Sequence, residues 1–388
     1  MALLTVSWKV QNIAKPGSWS PTGWSTSFGA GLVACAILAA SCGNSASKPV
    51  SGDASDPASA LNPVAIHGQL AVVGTRLVDK AGQPVQLKGV SSQWLNFESR
   101  QFPESKPALE YARDHWKLSV IRAAMGTEMM NGYLTSSAAK MAMQSKVETI
   151  IQNAIDLGLY VIVDWHTSAA VTATTTQQAD AIAFFTDIAQ KYGASPNVIY
   201  EPYNEPRRLT WAQIKPYHEA LVSAIRAVDP DNLIVLGTPT FSQDVDLAAL
   251  DPVAGTNLLY TLHFYACTHK QALRDKGSLA LSRGIALFIT EFGATPADGG
   301  TPGNGDNIVC EDEANSWFSW MATNNISGAA WKLDQCADTS CILTFSAPID
   351  GPWTDDLLTS DAGGTPADGG GVQVAGGHGL FVVNWIRQ

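Results

Sequence analysis

Charge is scarce in this chain. Only 15% of its 388 residues are Asp, Glu, Lys or Arg, and 24 basic residues face 35 acidic ones, giving a formal charge of −11. No Lys/Arg cluster occurs, which argues against a nucleic-acid partner, because that needs a basic face, and favours a neutral one. An HExxH motif and a CxxC spacing are also missing, so the strong signals for a metal site are absent and no cofactor is called for. The stretch from Asp298 to Asp306 is acidic and glycine-rich but too irregular for a calcium loop. Apolar runs are short: Phe28 to Ala40 falls well below the length of a permanent transmembrane helix.

That run instead has the length and small-residue flank of a signal-peptide core. It follows an unusually long lead, residues 1–27, whose only cations are Lys9 and Lys15. It closes on Ala39-Ala40-Ser41-Cys42, which looks like a bacterial lipoprotein processing site with Cys42 as the candidate lipid anchor, although Ala39 stands where Leu is more usual. Simple secretion is the alternative, and either route takes the protein out of the cytoplasm. Gly43 to Pro63 is small, polar and proline-containing and reads as a flexible linker. Residues 1–42, 43–63 and 64–388 are therefore expected to be leader, linker and main folded domain.

With 46% hydrophobic residues the remainder can bury a large core. Short apolar strands are predicted near Gln86–Ser91, Val120–Ala124, Tyr160–Trp165, Val198–Tyr203, Leu233–Gly237, Leu258–Phe264, Ala286–Thr290 and Gly328–Lys332. Helical patterns separate many of them: Lys140–Leu157, Gln177–Tyr192, Trp211–Val228, Lys270–Ser282 and Glu313–Asn324. Strand alternating with helix eight times is the signature of a parallel (β/α)8 TIM barrel. The final helix is expected at Leu380–Arg387, after a Gly-rich insertion near 359–378 too low in complexity to pack a core. A linker to a truncated second domain is the alternative reading of that stretch.

Two strand ends carry the chemistry. Val198-Ile199-Tyr200-Glu201-Pro202-Tyr203-Asn204-Glu205-Pro206 delivers Asn204 and Glu205 between two prolines, which restrict the backbone on either side. Ile285-Ala286-Leu287-Phe288-Ile289-Thr290-Glu291-Phe292-Gly293 delivers a second glutamate in the same way. Two glutamates at the mouths of two barrel strands suit glycosidic-bond hydrolysis. Taken alone, Glu205 could equally be a helix N-terminal acid. Other strand ends supply Arg122, an unpaired cation among apolar neighbours for which Glu291 is the natural partner, together with His166, His263, Tyr265 and Trp331. Each histidine or aromatic by itself would more often belong to the core, and their shared placement at strand ends reverses that weighing.

From about Gln69 to Gln388 the chain resembles the family 5 glycoside hydrolases, in their bacterial endoglucanase branch. Gly68–Gly74 and Leu77–Asp79 are similar to the hairpin that closes the bottom of that barrel. The resemblance implies Glu291 as nucleophile, kept ionised and oriented by Arg122 and Tyr265, and Glu205 as acid/base, with retention of configuration and carboxyl groups roughly 5 Å apart. It also implies that His166 and His263 line the cleavage subsite, that Asn204 contacts the sugar 2-hydroxyl and that Trp331 lies under the ring. Departures occur. Ser91-Ser92-Gln93-Trp94 lacks a histidine common in relatives, leaving Trp94 as a candidate stacking platform; Phe241 and Phe292 stand where Trp is common; and Lys332 matches the usual lysine only by turning toward the cleft. Cys267, Cys310, Cys336 and Cys341 suggest two disulfides with three pairings open, Cys267–Cys310 with Cys336–Cys341 being preferred. The expected activity is retaining endo-β-1,4-glucanase on a β-glucan, without metal or cofactor, from a monomer. A mannanase or xyloglucanase, and a carbohydrate-binding barrel without turnover, are the alternatives.

Overall fold

The computed structural model describes residues 62–388, apart from residues 99, 168, 170–174, 299–308, 337 and 361–375. The leader, Cys42, nearly all of the linker, most of the Gly-rich insertion and most of the Asp298–Asp306 stretch lie outside the described residues. Among the described residues no helix is long and apolar enough to cross a membrane.

A short helix α1 (Pro63–His67) precedes an antiparallel pair, β1 (Ala71–Val73) and β2 (Arg76–Val78). The barrel strands follow: β3 (Lys88–Ser92), β4 (Val120–Gly126), β5 (Tyr160–His166), β6 (Val198–Glu201), β7 (Leu233–Leu236), β8 (Leu258–Thr261) with β9 (Phe264–Tyr265), β10 (Ala286–Gly293) and β11 (Gly328–Leu333). All pair in parallel, and β11 joins both β10 and β3, so the sheet closes. Every residue of β4, β5 and β6 is buried, as strands covered on both faces require. Leu70, Leu77 and Val85 from the hairpin region share a buried cluster with Val120, Tyr160, Ile199 and Phe288, so the hairpin plugs the N-terminal end of the barrel.

The outer ring comprises α2 (Lys106–Tyr111), α3 (Ser137–Leu157), α4 (Thr176–Tyr192), α5 (Trp211–Arg226), two single turns, α6 (Pro239–Ser242) and α7 (Val245–Ala248), then α8 (Gln271–Ser282), α9 (Glu311–Asn324) and α10 (Gly379–Arg387). Local chemistry sets their ends. Ser136 caps α3 by accepting from the Ala139 amide at 3.1 Å, and Gly158 stops it with a left-handed φ of 68°. Thr210 and Gln213 form a capping box on α5.

The sequence expectations are refined at three places. The sixth strand is broken into β8 and β9, with Leu262 and His263 between them. The fourth stops at Glu201 rather than Tyr203, because Pro202 has no N–H to extend the ladder. The helix after the first strand, α2 with a π-helical turn Ala112–Trp116, had no sequence forecast; Pro107 sits in its first turn, where proline is well tolerated. The last helix lies where expected, and Trp385 packs against Phe292 at 5.2 Å and Phe318 at 4.8 Å.

Candidate active site

The C-terminal ends of the strands converge on one guanidinium. Arg122, on β4, is fully buried and donates from Nε to Glu201 Oε2 at 2.7 Å, from one terminal nitrogen to Glu291 Oε2 at 3.1 Å and from the other to Asn204 Oδ1 at 2.7 Å; Asp164 Oδ2 lies 2.9 Å from that second nitrogen. Glu291 is thus one of three carboxylate partners, and Glu201 and Asp164 were not singled out in the sequence. Burial works against the arginine's charge, but these carboxylates hold its pKa above the usual value. A signal for Glu201 and Asp164 did exist: each is an acid inside an otherwise apolar, fully buried strand, where a charge needs a partner.

One cation cannot hold all these acids ionised in a desolvated site. Burial, opposed by Arg122, pushes Asp164 up to about 8 and Glu201 up to about 7. Glu291 sits differently. Besides Arg122, it accepts from the Tyr265 hydroxyl at 2.7 Å, so each of its two oxygens has its own donor. Burial and the nearby Glu291 keep Tyr265 a neutral donor, raised well above the usual tyrosine value.

Glu205 follows Pro202-Tyr203-Asn204, and its backbone is pinned to the end of β5: the Asn204 amide donates to Trp165 O and the Glu205 amide to Thr167 O, both at 3.3 Å. A second loop clasps it from the far side. The Ser242 hydroxyl donates to Asn204 O at 2.7 Å and the Phe241 amide to Pro206 O at 3.0 Å, while Thr240, Phe241 and Ser242 all have φ near +55 to +58°. Three consecutive non-glycine residues in that region cost of order 1–2 kcal/mol each and persist only where surrounding structure compels them. Gly237 makes the approach feasible, since a Cβ there would lie 2.2 Å from Tyr203 O. About 20% of the Glu205 side chain stays accessible. Burial, opposed by Arg122 and Arg207, pushes its carboxyl up to about 7.

The two glutamates meet. A carboxylate oxygen of Glu205, one of Glu291 and a ring nitrogen of His263 all lie within 4.8 Å of one another. They open on a cleft of about 430 Å³, also lined by Phe241, Gln243, Tyr265, His269, Ala297 and Asp298. His269 and Gln243 were not anticipated; the His269 Nδ1 accepts from the Tyr265 amide at 2.9 Å, which leaves its Nε2 carrying the proton.

His166 is held by Asp164 at 2.6 Å through Nδ1 and lies 3.4 Å from Asn204 Nδ2 through Nε2. Burial lowers its pKa to about 3, and that of His263 to about 4, so both rings are neutral. Trp331 stacks on His166 at 5.4 Å, Trp94 meets His166 edge-on at 4.4 Å, and Phe97 lies parallel to Trp94 at 5.3 Å. Trp94 and Trp331 cluster with Tyr265. All nine residues nominated from the sequence therefore fall in one connected region. The Lys332 ammonium is bound to Asp338 at 3.0 Å and lies 6.0 Å from the centre of the Trp331 ring. The disulfides are Cys267–Cys310 and Cys336–Cys341.

Residues 78–337 match the family described as Cellulase (glycosyl hydrolase family 5). The chain is 44% identical over 299 residues to an endoglucanase of Clostridium saccharobutylicum, covering 76% of this chain and 63% of that one, so it spans under two thirds of that relative's length. A solved structure from Cytophaga hutchinsonii superposes with a TM-score of 0.73 at 36% identity, over 84% of this chain and 96% of that one. The catalytic domain of an endoglucanase from Thermobifida fusca, in complex with cellotetraose, superposes with a TM-score of 0.71 at 27% identity, over 84% of this chain and all of that one. The chain belongs to glycosyl hydrolase family 5.

Proposed function

We propose that the protein is a retaining endo-β-1,4-glucanase. The observation that carries this reading is the approach of Glu205 and Glu291 within 4.8 Å across one cleft, in environments that differ. That spacing suits double displacement, since an inverting pair stands roughly 6.5–9.5 Å apart to admit a water. Glu291, bonded by Arg122 and Tyr265, attacks the anomeric carbon as an anion. Glu205, whose proton is retained up to about pH 7, gives it to the departing glycosidic oxygen. Loss of the leaving chain yields a glycosyl ester on Glu291, and Glu205, now a carboxylate, takes a proton from the incoming water to release the sugar with its configuration retained.

His166, His263 and Asn204 border the reacting centre, with one Asn204 amide hydrogen left for a sugar hydroxyl, and Trp331 and Trp94 supply flat apolar faces for sugar rings. A β-1,4-glucan substrate is supported by the endoglucanase relative and by the cellotetraose bound in the Thermobifida fusca neighbour. The two disulfides favour export to an oxidising compartment, with Cys42 as the anchor if the leader is processed as a lipoprotein. The test is hydrolysis of carboxymethylcellulose and mannan by wild type and by Glu291→Gln, with the product anomer read by NMR. Wild type releases β-anomer first from carboxymethylcellulose, and the variant loses roughly 10⁴-fold or more in kcat. Cleavage of mannan alone, inverted product, or no cleavage of either polymer overturns the reading.

A further inference from the structure

We infer that Glu201 and Thr290 are positioning residues that hold the acid's proton on Glu205, acting through the tautomer of His263. This rests on the proposed role of Glu205 as proton donor. Four side chains form an unbroken line inward from the cleft. His263 Nδ1 lies 3.1 Å from Glu205 Oε1, its Nε2 lies 3.0 Å from Thr290 Oγ1, and the Thr290 hydroxyl donates to Glu201 Oε1 at 2.5 Å. Glu201 Oε2 ends the line on Arg122 Nε at 2.7 Å.

A hydroxyl carries one proton and two acceptor positions. With the Thr290 proton committed to the Glu201 carboxylate, its oxygen can only accept, from Thr261 Oγ1 at 2.6 Å and from His263 Nε2. His263 then carries its single proton on Nε2 and presents a bare Nδ1 toward Glu205. A lone pair facing a carboxylate is repulsive, and one facing a carboxylic acid accepts a hydrogen bond. The protonated form of Glu205 is therefore favoured.

The opposite arrangement moves each proton one bond along. The Glu205 proton passes to Nδ1, the Nε2 proton to Thr290, and the Thr290 proton to Glu201, with no atom gained or lost. It makes Glu201 neutral 2.7 Å from a buried guanidinium, and so weakens an ion pair that the first arrangement keeps. Burial, the largest influence on each, pushes both Glu201 and Glu205 up to about 7. Among the described residues, the other charged and titratable groups facing Glu205 and His263 are Arg122 from β4, Asp164 and His166 from β5, Arg207 beside Glu205, Tyr265 from β9, His269 just beyond β9 and Glu291 from β10. Once Glu205 has given its proton to the leaving oxygen, the Nδ1 lone pair faces an anion, and this makes Glu205 a stronger base toward water in the second step.

The test joins a spectroscopic and a kinetic measurement. Nitrogen NMR of the His263 ring in the resting wild type should place the proton on Nε2. Thr290→Val keeps the side-chain shape and removes the acceptor, so the ring proton should move to Nδ1 and the basic limb of the kcat/KM profile should fall by about one pH unit; Thr290→Ser should restore both. A proton on Nδ1 in an actively hydrolysing wild type overturns this inference alone, as does an unmoved basic limb in a folded Thr290→Val enzyme. Absence of hydrolysis by wild type overturns the proposed function instead. Should Thr290→Val fail to fold, the wild-type tautomer still decides.

Discussion

Glu205 and Glu291 are chemically identical residues given different tasks by their neighbours. Glu291 has a bond from Arg122 and one from Tyr265, and Glu205 has burial opposed by Arg122 and Arg207. Glu205→Gln should lower kcat on cellulose derivatives by roughly 10²–10⁴. The loss should be far smaller for an aryl glycoside whose leaving group needs no proton, and an equal loss on both substrates would remove Glu205 from the acid role. Tyr265→Phe deletes one hydrogen bond to Glu291, the proposed nucleophile, worth about 1.5–3 kcal/mol, and should lower kcat roughly 10- to 100-fold with little change in KM. The pH response follows from the sign of the shift. Because the Glu205 proton is held more tightly than in a free glutamate, the donor form is present below about pH 7 and lost above it. A plot of kcat/KM against pH should therefore fall on the alkaline side of neutrality; a flat plot to pH 9 would contradict the assignment.

Elements position these residues from behind. Helix α10 lays Trp385 against Phe292, the residue after Glu291, and 3% of that tryptophan is exposed. Trp385→Ala should cost about 3–5 kcal/mol, seen as a fall of several degrees in Tm. The Cys267–Cys310 disulfide ties the chain just beyond Tyr265 to the start of α9, across 43 residues. Replacing both cysteines with serine should cost about 4 kcal/mol by loop closure and also lower kcat, because the tyrosine that orients Glu291 loses its tether. Melting curves and initial rates under reducing and non-reducing conditions check this, and an unchanged Tm would show the bridge to be dispensable. The left-handed turn at Thr240–Ser242 serves the same end for Glu205, since its bonds to Asn204 and Pro206 hold the Glu205 segment from outside the sheet.

At the scale of the whole molecule, buried acids and surface acids together make stability depend on pH from both sides. Asp164 and Glu201 have folded-state values raised to about 8 and about 7, so their contribution is complete below about pH 4 and is lost as pH climbs through 7 to 8. Asp79, Asp156, Asp350 and Asp355 are lowered, Asp79 by backbone amides and the others chiefly by bonds to Lys106, Arg100 and Arg387, and their contribution fades as pH falls through the acid range. Tm should be highest between those limits, and a Tm still rising from pH 7 to 9 would contradict the alkaline half of this account.

The sequence by itself determined the alternation of strand and helix and the glutamates at the strand ends, because burial period, capping residues and proline constraints act within a few residues of each other. Arg122, His263 and Tyr265 were legible for the same reason: a polar group at the end of an apolar strand stands out locally. Only the tertiary structure decided what those groups bind. The joint claim of Glu201, Asp164 and Glu291 on one guanidinium, the hydrogen-bonded line through Thr290 and the break in the sixth strand at His263 join residues from separate strands. Closing a sheet into a barrel brings chain segments together over separations that no local pattern records, and desolvation, which sets the proton on each acid, exists only once that closure has excluded water.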